Sequence, residues 1–532
     1  MITRDQQPRS GQPIMRDGLD LLLAAVLLAG AYKAFGPVKA AVALAVLAIA
    51  GLCWMRNRQR PDGFASRPEL RRALTEKAAR RRSTVTLPLG RAVGHRMRLA
   101  VAAEDSVLVL AAPRQGKTSQ VIIPWLTDWP GPALTTSLRT DVLTATATLR
   151  EEHGPVAVLA PTGMVCWPSR VRWSPTRGCA DLDTARRRAS VLVTVGHAEK
   201  QDSSNAGYFS ANAVNLVTLW LHAADVAGLG MHEVLKWSLD ERDDTPVTLL
   251  RDHLDAAHGA AELADALYRT PPETRSGLWT TASTALAPLL SPATQAVFCP
   301  ERGEQQFDPA EFLRSNGTVY LLVEGDRARA LAPLITVFLD ELLDIAKRTA
   351  DAAPGGRLAS PLAIFGDEIA NVAPLPQLPG LMSYAGGSGI FTTVVLQSKA
   401  QAEQQFGHDQ AAMIWGAATV KLVLGGVTGP ELRELSELAG DHDRTETGRQ
   451  THSDGSITTS TSSQRRRVLE PAAIRTLRPD RREVLVVHAI TPAITVRMTR
   501  HYEGPNRRRH AAAEREARRI IESMQRADTD AH

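Results

Sequence analysis

Hydrophobic residues are concentrated in two long runs near the amino terminus and in several shorter runs further along the chain. The long runs cover residues 21–36 and 38–55, and they meet at Gly36-Pro37. Each is close to the length of roughly 20 residues that a helix needs to cross a bilayer. The pattern predicts a transmembrane helical hairpin over residues 18–56. A cleaved signal peptide and a buried soluble hairpin are the alternatives.

Arginines flank this apolar pair on both sides. Three arginines lie within residues 4–16, and three more lie within residues 56–60. The second group follows the apolar runs at once and acts as a stop-transfer signal, which disfavours a signal peptide. Because positive charge stays on the cytoplasmic side, we expect a multi-pass protein of the cell membrane with both ends and most of its mass in the cytoplasm.

Four shorter apolar runs have the length of strands buried in a parallel sheet. They cover residues 106–110, 317–324, 361–366 and 392–396. A helical pattern over residues 331–349 stands between two of them. Strands that alternate with helices predict the α/β class.

Residues 199–302 differ from this pattern. They contain several alanine- and leucine-rich helical patterns and few strand-like runs, so we predict an inserted all-α domain. Residues 445–464 are polar and rich in Ser and Thr, which favours a flexible linker. Residues 484–500 alternate enough for a β-hairpin. The charged segment 503–532 is expected to be a solvated tail, either helical or disordered.

Composition fits a largely folded protein with uneven charge. The chain has 532 residues, 44% of them hydrophobic, so two or three domains are expected. The net charge is only +5, but basic clusters occur at 56–60, 71–82, 465–467 and 507–509. Such clusters suit phosphate-rich partners, either membrane lipid or nucleic acid, although a solvated surface explains any single cluster equally well.

Two further compositional features do not alter the predicted fold or function. Arginine far outnumbers lysine and alanine is abundant, which is typical of a high-GC bacterial coding sequence, and we expect a Gram-positive source. The four cysteines are widely spaced and form no zinc-binding pattern, so we expect reduced residues without chemistry.

A candidate phosphate-binding loop, Ala-Ala-Pro-Arg-Gln-Gly-Lys-Thr, follows the strand at 106–110 and precedes a helical pattern. Backbone N–H groups at the start of that helix would face phosphates. Lys117 would reach the β- and γ-phosphates of ATP, and the Thr118 hydroxyl would bind Mg²⁺. The candidate nucleotide-binding residues are Pro113, Arg114, Gln115, Gly116, Lys117, Thr118 and Ser119.

Two features depart from the usual loop. Ala111 stands where the pattern opens with glycine, and Pro124 is expected to kink or end the following helix. A short Gly-Lys-Thr match also occurs by chance, so the loop needs a second half of the site.

Asp367 and Glu368 supply that half. They end the strand at 361–366, where an acidic pair is the Walker B arrangement. Asp367 would hold Mg²⁺, and Glu368 would orient and deprotonate the attacking water. The alternative is a simple helix cap. Gln397 ends the strand at 392–396 and could sense the γ-phosphate, although a surface glutamine is the commoner case.

These motifs together resemble the type IV coupling proteins of conjugation, the TraG/TraD kind. The resemblance is strongest in residues 367–390, 395–407 and 432–441 and covers most of residues 84–502. The matching positions are Asp367, Glu368, Asn371, Gly389, Gln397, Ser398 and Gln401.

The resemblance implies a RecA-like P-loop nucleotide-binding domain with an inserted all-α domain beneath the membrane hairpin. It implies an ATPase, with Glu368, Lys117 and Gln397 as catalytic residues, that delivers a DNA–relaxase complex to a type IV secretion channel. The implied assembly is a homo-hexamer. Another membrane-anchored DNA translocase, a protein-export ATPase and an inactive recruitment scaffold are the rival functions.

The sequence therefore divides into six parts. They are a cytoplasmic tail (1–17), the membrane hairpin (18–56), a basic linker (57–83), the nucleotide-binding domain (84–198 and 303–502), the all-α domain (199–302) and the charged tail (503–532).

Overall fold

Three of the four shorter apolar runs form the centre of one large sheet, and the run at 317–324 forms a strand near its edge. The computed structural model describes residues 63–197, 206–451 and 457–530. The predicted membrane hairpin at 18–56 lies outside the described residues, as does the tail at 1–17. Within the described ranges, every helix is too short or too polar to cross a bilayer.

Thirteen strands occur in the described residues. They are β1 (Thr86–Ala92), β2 (Arg98–Ala102), β3 (Val107–Leu110), β4 (Ala133–Ser137), β5 (Val156–Leu159), β6 (Thr318–Leu322), β7 (Leu362–Gly366), β8 (Ile390–Leu396), β9 (Val420–Val423), β10 (Asp441–Thr451), β11 (Ile457–Arg467), β12 (Glu483–His488) and β13 (Thr491–Arg497).

Eleven of these strands form one sheet, in the order β2-β1-β13-β12-β9-β3-β8-β7-β4-β6-β5 among the described residues. Neighbours from β9 to β5 are parallel, whereas β12, β13, β1 and β2 pair in antiparallel fashion at the other end. Every residue of β3, β7 and β8 is buried, which is typical of parallel strands covered on both faces. The predicted α/β class is therefore confirmed.

Helices cover both faces of the sheet and fill the long insertion. They are α1 (Arg67–Ala73), α2 (Glu76–Ala79), α3 (Ile123–Asp128), α4 (Asp141–Arg150), α5 (Leu182–Gly196), α6 (Ala206–Val226), α7 (Met231–Leu239), α8 (Thr245–Asp252), α9 (Ala260–Tyr268), α10 (Pro272–Leu286), α11 (Pro292–Phe298), α12 (Pro309–Arg314), α13 (Ala328–Ala352), α14 (Ile369–Val372), α15 (Leu378–Tyr384), α16 (Lys399–Phe406), α17 (His408–Ala417), α18 (Glu431–Ala439), α19 (Pro471–Arg475) and α20 (Arg507–Asp530).

The helical insertion shares its hydrophobic core with the sheet. Residues 206–302 contain helices and no strand, as the sequence predicts. Their aromatic centre includes Trp220 and Trp279, whose rings lie 5.5 Å apart. Trp220 belongs to the same buried cluster as Leu108 of β3. The insertion is thus packed against the large sheet.

The expectation of a flexible linker at 445–464 is wrong, whereas the charged tail takes the helical form that was one of its two alternatives. The stretch at 445–464 belongs to a paired ribbon, β10 with β11, in which Asp441 faces Arg467. The basic linker at 57–83 contains α1 and α2, which bury Leu70 and Ala79. The charged tail forms α20, which buries Ala513 and Ala517. Backbone pairing or one apolar helix face orders each segment, although its composition is polar.

Pro124 does not end the helix after the loop. That helix starts with a π-helical turn, Thr118–Ile122, and continues as α3 to Asp128. Pro124 lies just after the π-helical turn, and the Ser119 carbonyl, five residues before the proline, accepts from the His501 N–H at 2.9 Å instead.

Candidate functional site

Three neighbouring strands bring the sequence motifs to one edge of the sheet. Strand β8 lies between β3 and β7 and is parallel to both. The Gly-Lys-Thr loop follows β3, Gln397 follows β8, and Asp367-Glu368 follow β7. Because the carboxyl ends of parallel strands meet at the same edge, residues far apart in sequence meet there.

The loop itself depends on two left-handed backbone positions. Gly116 has φ of 89° and Arg114 has φ of 64°. A Cβ atom at Gly116 would be strained by the positive φ and would lie 2.4 Å from Gln120 Nε2, so the Gln120 side chain would have to move. Gln120 Nε2 in turn donates to the carbonyl of Gln115 at 3.2 Å, and Ser119 Oγ donates to that of Gly116. The turn is thus held from within.

The outer part of the loop is open. Pro113 and Arg114 are exposed, whereas Gln115 packs beside the turn after β9. A Cβ at Gly426 would lie 3.2 Å from Gln115 Nε2, so glycine allows this close approach. Pro113 and Arg114 are therefore the most exposed of the predicted loop residues.

The backbone at position 111 does not require glycine. Ala111 does not have a positive φ, it is fully buried, and its N–H donates to the carbonyl of Leu396 at 3.1 Å. The residue thus continues the pairing of β3 with β8 by one step. The missing first glycine is no defect in this loop.

The loop and the acidic pair are in direct contact. Thr118 Oγ1 donates to Asp367 Oδ2 at 2.8 Å. Lys117 Nζ lies 2.6 Å from Glu368 Oε1 and 3.4 Å from Asp367 Oδ1. The fold therefore joins the two halves of the predicted site, Lys117 and Thr118 with Asp367 and Glu368.

Asp367 is a buried carboxylate with spare capacity. Only 5% of the residue is exposed, and burial raises the pKa of its carboxyl, while Lys117 and Thr118 oppose the rise. Its Oδ1 accepts no hydrogen bond within the described residues. Its backbone carbonyl accepts from Thr136 Oγ1 at 2.8 Å, which fixes the end of β7 against β4.

Glu368 occupies the N-cap position of α14, but its side chain does not cap the helix. Its backbone is left-handed, with φ of 57°, and its side chain makes no capping hydrogen bond to α14. Instead its Oε1 accepts from Gln397 Nε2 at 3.3 Å, and its Oε2 lies 3.4 Å from Asn371 Nδ2. The strained backbone turns the carboxylate towards Lys117.

Gln397 is held by its neighbours on α16. Its N–H donates to Gln401 Oε1 at 2.8 Å, and Ser398 Oγ accepts from the Gln401 N–H at 3.2 Å. Sequence reasoning alone assigned no role to Asn371 or Gln401, and it missed Thr136. Only the position of Thr136 at the end of a strand could have indicated it.

The residues present fit a phosphate chain with a divalent cation. A lysine, a left-handed glycine turn and a helix start provide the donors that phosphates need. The Thr118 hydroxyl and Asp367 Oδ1, which is ion-paired with Lys117 but accepts no hydrogen bond within the described residues, are hard oxygen ligands of the kind that Mg²⁺ prefers. Glu368 stands beside them with Gln397, where a water could be oriented.

Comparison with known proteins agrees with the sequence motifs. A family model described as the TraM recognition site of TraD and TraG matches residues 361–479. This segment includes the acidic pair, Gln397 and α18. None of the curated proteins is similar enough in sequence to count as a match.

Solved structures of the bacterial conjugative coupling protein TrwB share the fold. Unbound TrwBdeltaN70 is 19% identical, with a TM-score of 0.57 over 75% of this chain and 85% of that one. TrwB with the ATP analogue ADPNP is 18% identical, with a TM-score of 0.57 over 80% and 92%. TrwB with ADP and Mg²⁺ is also 18% identical, with a TM-score of 0.56 over the same 80% and 92%. The resemblance to type IV coupling proteins is confirmed.

Proposed function

Because the chain shares its fold with a conjugative coupling protein, and a segment with TraD and TraG, we propose that it is an ATP-driven motor of conjugation. ATP and Mg²⁺ are its proposed cofactors. The contact of Lys117 and Thr118 with Glu368 and Asp367 carries the proposal. A fold can serve many functions, but this set of side chains is specific to phosphate chemistry.

Each residue then has a defined task. Backbone N–H groups of Gly116 and Thr118 and the ammonium of Lys117 hold the phosphates. Thr118 and Asp367 would hold Mg²⁺, and the ion would supply positive charge beside the phosphoryl group that is transferred. Glu368 accepts the proton of the attacking water, and Gln397 orients that water. Gln401 and Asn371 fix Gln397 and Glu368 in turn.

We further propose that the motor is anchored in the cell membrane by residues 18–56 and couples a DNA–relaxase complex to a type IV secretion channel. The apolar runs and the flanking arginines support the anchor. The match of residues 361–479 to a recognition segment of TraD and TraG supports a partner of the conjugation machinery. A homo-hexamer would let a neighbouring copy complete each nucleotide site.

DNA-stimulated ATP hydrolysis by the full-length chain tests this proposal. We expect hydrolysis that DNA accelerates, with DNA binding that weakens steeply as salt rises, because phosphate contacts dominate. Lys117→Ala removes the proposed phosphate ligand and should abolish hydrolysis. The matched control is Lys77→Ala, which removes an exposed lysine of α2. Stimulation by a protein substrate alone would favour an export ATPase. Hydrolysis that Lys117→Ala leaves intact would refute the motor.

A further inference from the structure

Three arginines lie in one row across the end strands of the large sheet. Arg91 of β1 pairs in register with Arg98 of β2 on one side and with Arg497 of β13 on the other. Residues directly opposite each other in antiparallel strands lie on the same face of a sheet, so the three side chains share one face. Because neighbouring strands are about 4.8 Å apart, this arginine row spans roughly 10 Å of rigid backbone.

The arginine row has little negative charge to balance it. All three residues are exposed, and Arg91 and Arg98 form no ion pair within the described residues. Arg497 has one acidic neighbour, Glu483, at 3.7 Å. Like charges directly opposite each other in a sheet destabilise the pairing, and a polyanion along the row would replace this repulsion with attraction.

The start of α20 adds positive charge beside the row. Asn506, the residue before α20, lines the same surface cavity as Arg91 and Arg98. Arg507 and Arg508 follow it, and both are exposed and without an ion pair in the part of the chain that the structure describes. These two residues and the arginine row together form the basic edge.

A half-exposed aromatic ring lies in the segment between β13 and α20. Tyr502 is 51% exposed. The Arg500 guanidinium lies 5.9 Å from the centre of its ring, and the His501 ring packs edge-on at 5.0 Å. These contacts orient the ring and leave half of it open. Arginines beside an open aromatic ring are the combination by which proteins bind single strands, since phosphates meet the arginines and bases stack on the ring.

The surface around the basic edge decides between three polyanions. A duplex keeps its bases stacked inside, so it would give Tyr502 no role, whereas the bases of a single strand are free to stack on aromatic rings. A lipid surface is bound through apolar side chains that enter it. Residues 86–102 and 491–508, all of them described, expose no large hydrophobic side chain besides Tyr502. A single nucleic-acid strand therefore fits best.

We propose that the basic edge binds a single nucleic-acid strand, with its arginines on successive phosphates and Tyr502 stacked on a base. This inference deepens the proposed function and rests on it for the identity of the strand as DNA. Two strands, β12 and β9, separate the arginine row from β3 and its phosphate loop. The DNA would thus have a contact surface of its own, apart from the ATP site.

Fluorescence anisotropy of a labelled oligothymidine with the full-length chain, without ATP, tests the surface. Arg91→Gln and Arg98→Gln should each weaken binding about fivefold at about 0.1 M salt. Each should also lower the slope of log affinity against log salt by about 0.7, because one phosphate contact of a single strand is lost. Tyr502→Ala should weaken binding about tenfold with little change in that slope, and Tyr502→Phe should bind as the wild type does.

Two variants outside the basic edge are the matched controls. Arg186→Gln removes an exposed arginine of α5 that forms no ion pair within the described residues. Tyr384→Ala removes a tyrosine of α15 that is also 51% exposed. Both should bind the oligothymidine as the wild type does. Melting curves identify a variant that fails to fold, and Arg508→Gln, at an exposed position of α20, then takes its place.

Three results would overturn the proposal. One is a loss in Arg186→Gln equal to that in Arg91→Gln. Another is a duplex that the arginine variants weaken as much as the single strand, with Tyr502→Ala affecting neither. The third is a loss confined to vesicles of phosphatidylglycerol, which would make the basic edge a lipid surface. Intact oligothymidine binding without ATP hydrolysis would refute the motor alone, and the reverse pair of results would refute this surface alone.

Discussion

Thr118 Oγ1 donates a hydrogen bond of 2.8 Å to Asp367 Oδ2, although 249 positions separate the two residues in sequence. Their strands, β3 and β7, have only β8 between them in the sheet. The long helical insertion leaves this meeting point intact. The order of the parallel strands thus builds the site. A substitution in the loop after β3 should therefore affect the acidic pair after β7, and the reverse.

Thr118→Val should abolish the benefit of Mg²⁺ for nucleotide binding. The change keeps the shape of the side chain but removes the hydroxyl that meets Asp367. We expect affinity for an ATP analogue in Mg²⁺ to fall about tenfold, or about 1.4 kcal/mol, as for the loss of a hydrogen bond to a charged group. Binding titrations with and without Mg²⁺ measure the effect.

Thr148→Val in α4 is the control for that substitution. It should bind the analogue as the wild type does. An unchanged response to Mg²⁺ in Thr118→Val would show that this hydroxyl is not a metal ligand.

Gly116→Ala should destroy nucleotide binding, while Gly94→Ala should not. Both glycines have positive φ, but a Cβ at Gly116 would strike Gln120 Nε2, whereas Gly94 has open space around it. Backbone strain costs each variant roughly 1–3 kcal/mol of stability, so melting curves should fall in both. If both variants bind the ATP analogue equally, the clash with Gln120 does not matter.

Gln397→Ala should slow hydrolysis without weakening binding. Gln397 contacts Glu368 and is positioned by Gln401. Loss of one preorganised donor typically lowers turnover about a hundredfold, and Gln401→Ala should show a smaller loss in the same direction. Single-turnover kinetics and binding titrations separate the two quantities. Gln404→Ala, at an exposed position of α16, serves as the control. A loss of binding in Gln397→Ala would show that Gln397 contributes to nucleotide binding rather than to the hydrolysis step.

Asp367→Asn should stabilise the nucleotide-free protein at neutral pH. Burial raises the pKa of the Asp367 carboxyl, so the folded state binds this proton more tightly than the unfolded state. The ionised carboxylate therefore costs stability above its folded pKa, and the cost disappears as the pH falls towards the ordinary value of about 3.9. The melting temperature of Asp367→Asn should exceed that of the wild type at pH 7 and approach it near pH 4.

Asp255→Asn at an exposed loop position gives the baseline for that comparison. A lower melting temperature for Asp367→Asn at pH 7 would mean that the contact with Lys117 outweighs the cost of burial.

The sequence predicted the parts of the fold that carry a strong local signal. Strands β3, β7 and β8 are continuous apolar runs, so their burial on both faces can be recognised without a structure. The polar residues directly after them, Lys117, Asp367 and Gln397, were then natural candidates for one site.

Other parts lack such a signal. The ribbon of β10 and β11 is polar and forms no part of the large sheet, so no apolar alternation marks it. Strand β1 contains Pro88 and Gly90 with an irregular register between them, which disguises it as a loop. Thr136 contacts the carbonyl of Asp367 across 231 positions, a relation that depends on the order of strands in space.

The comparison of Glu368→Gln with the wild type tests the central claim most directly. Glu262→Gln on the exposed surface of α9 is the matched control. We expect Glu368→Gln to bind the ATP analogue with Mg²⁺ and to lose at least about a hundredfold in ATP turnover, because it cannot accept the proton of the attacking water. Turnover in Glu368→Gln equal to that of Glu262→Gln and the wild type would contradict the account.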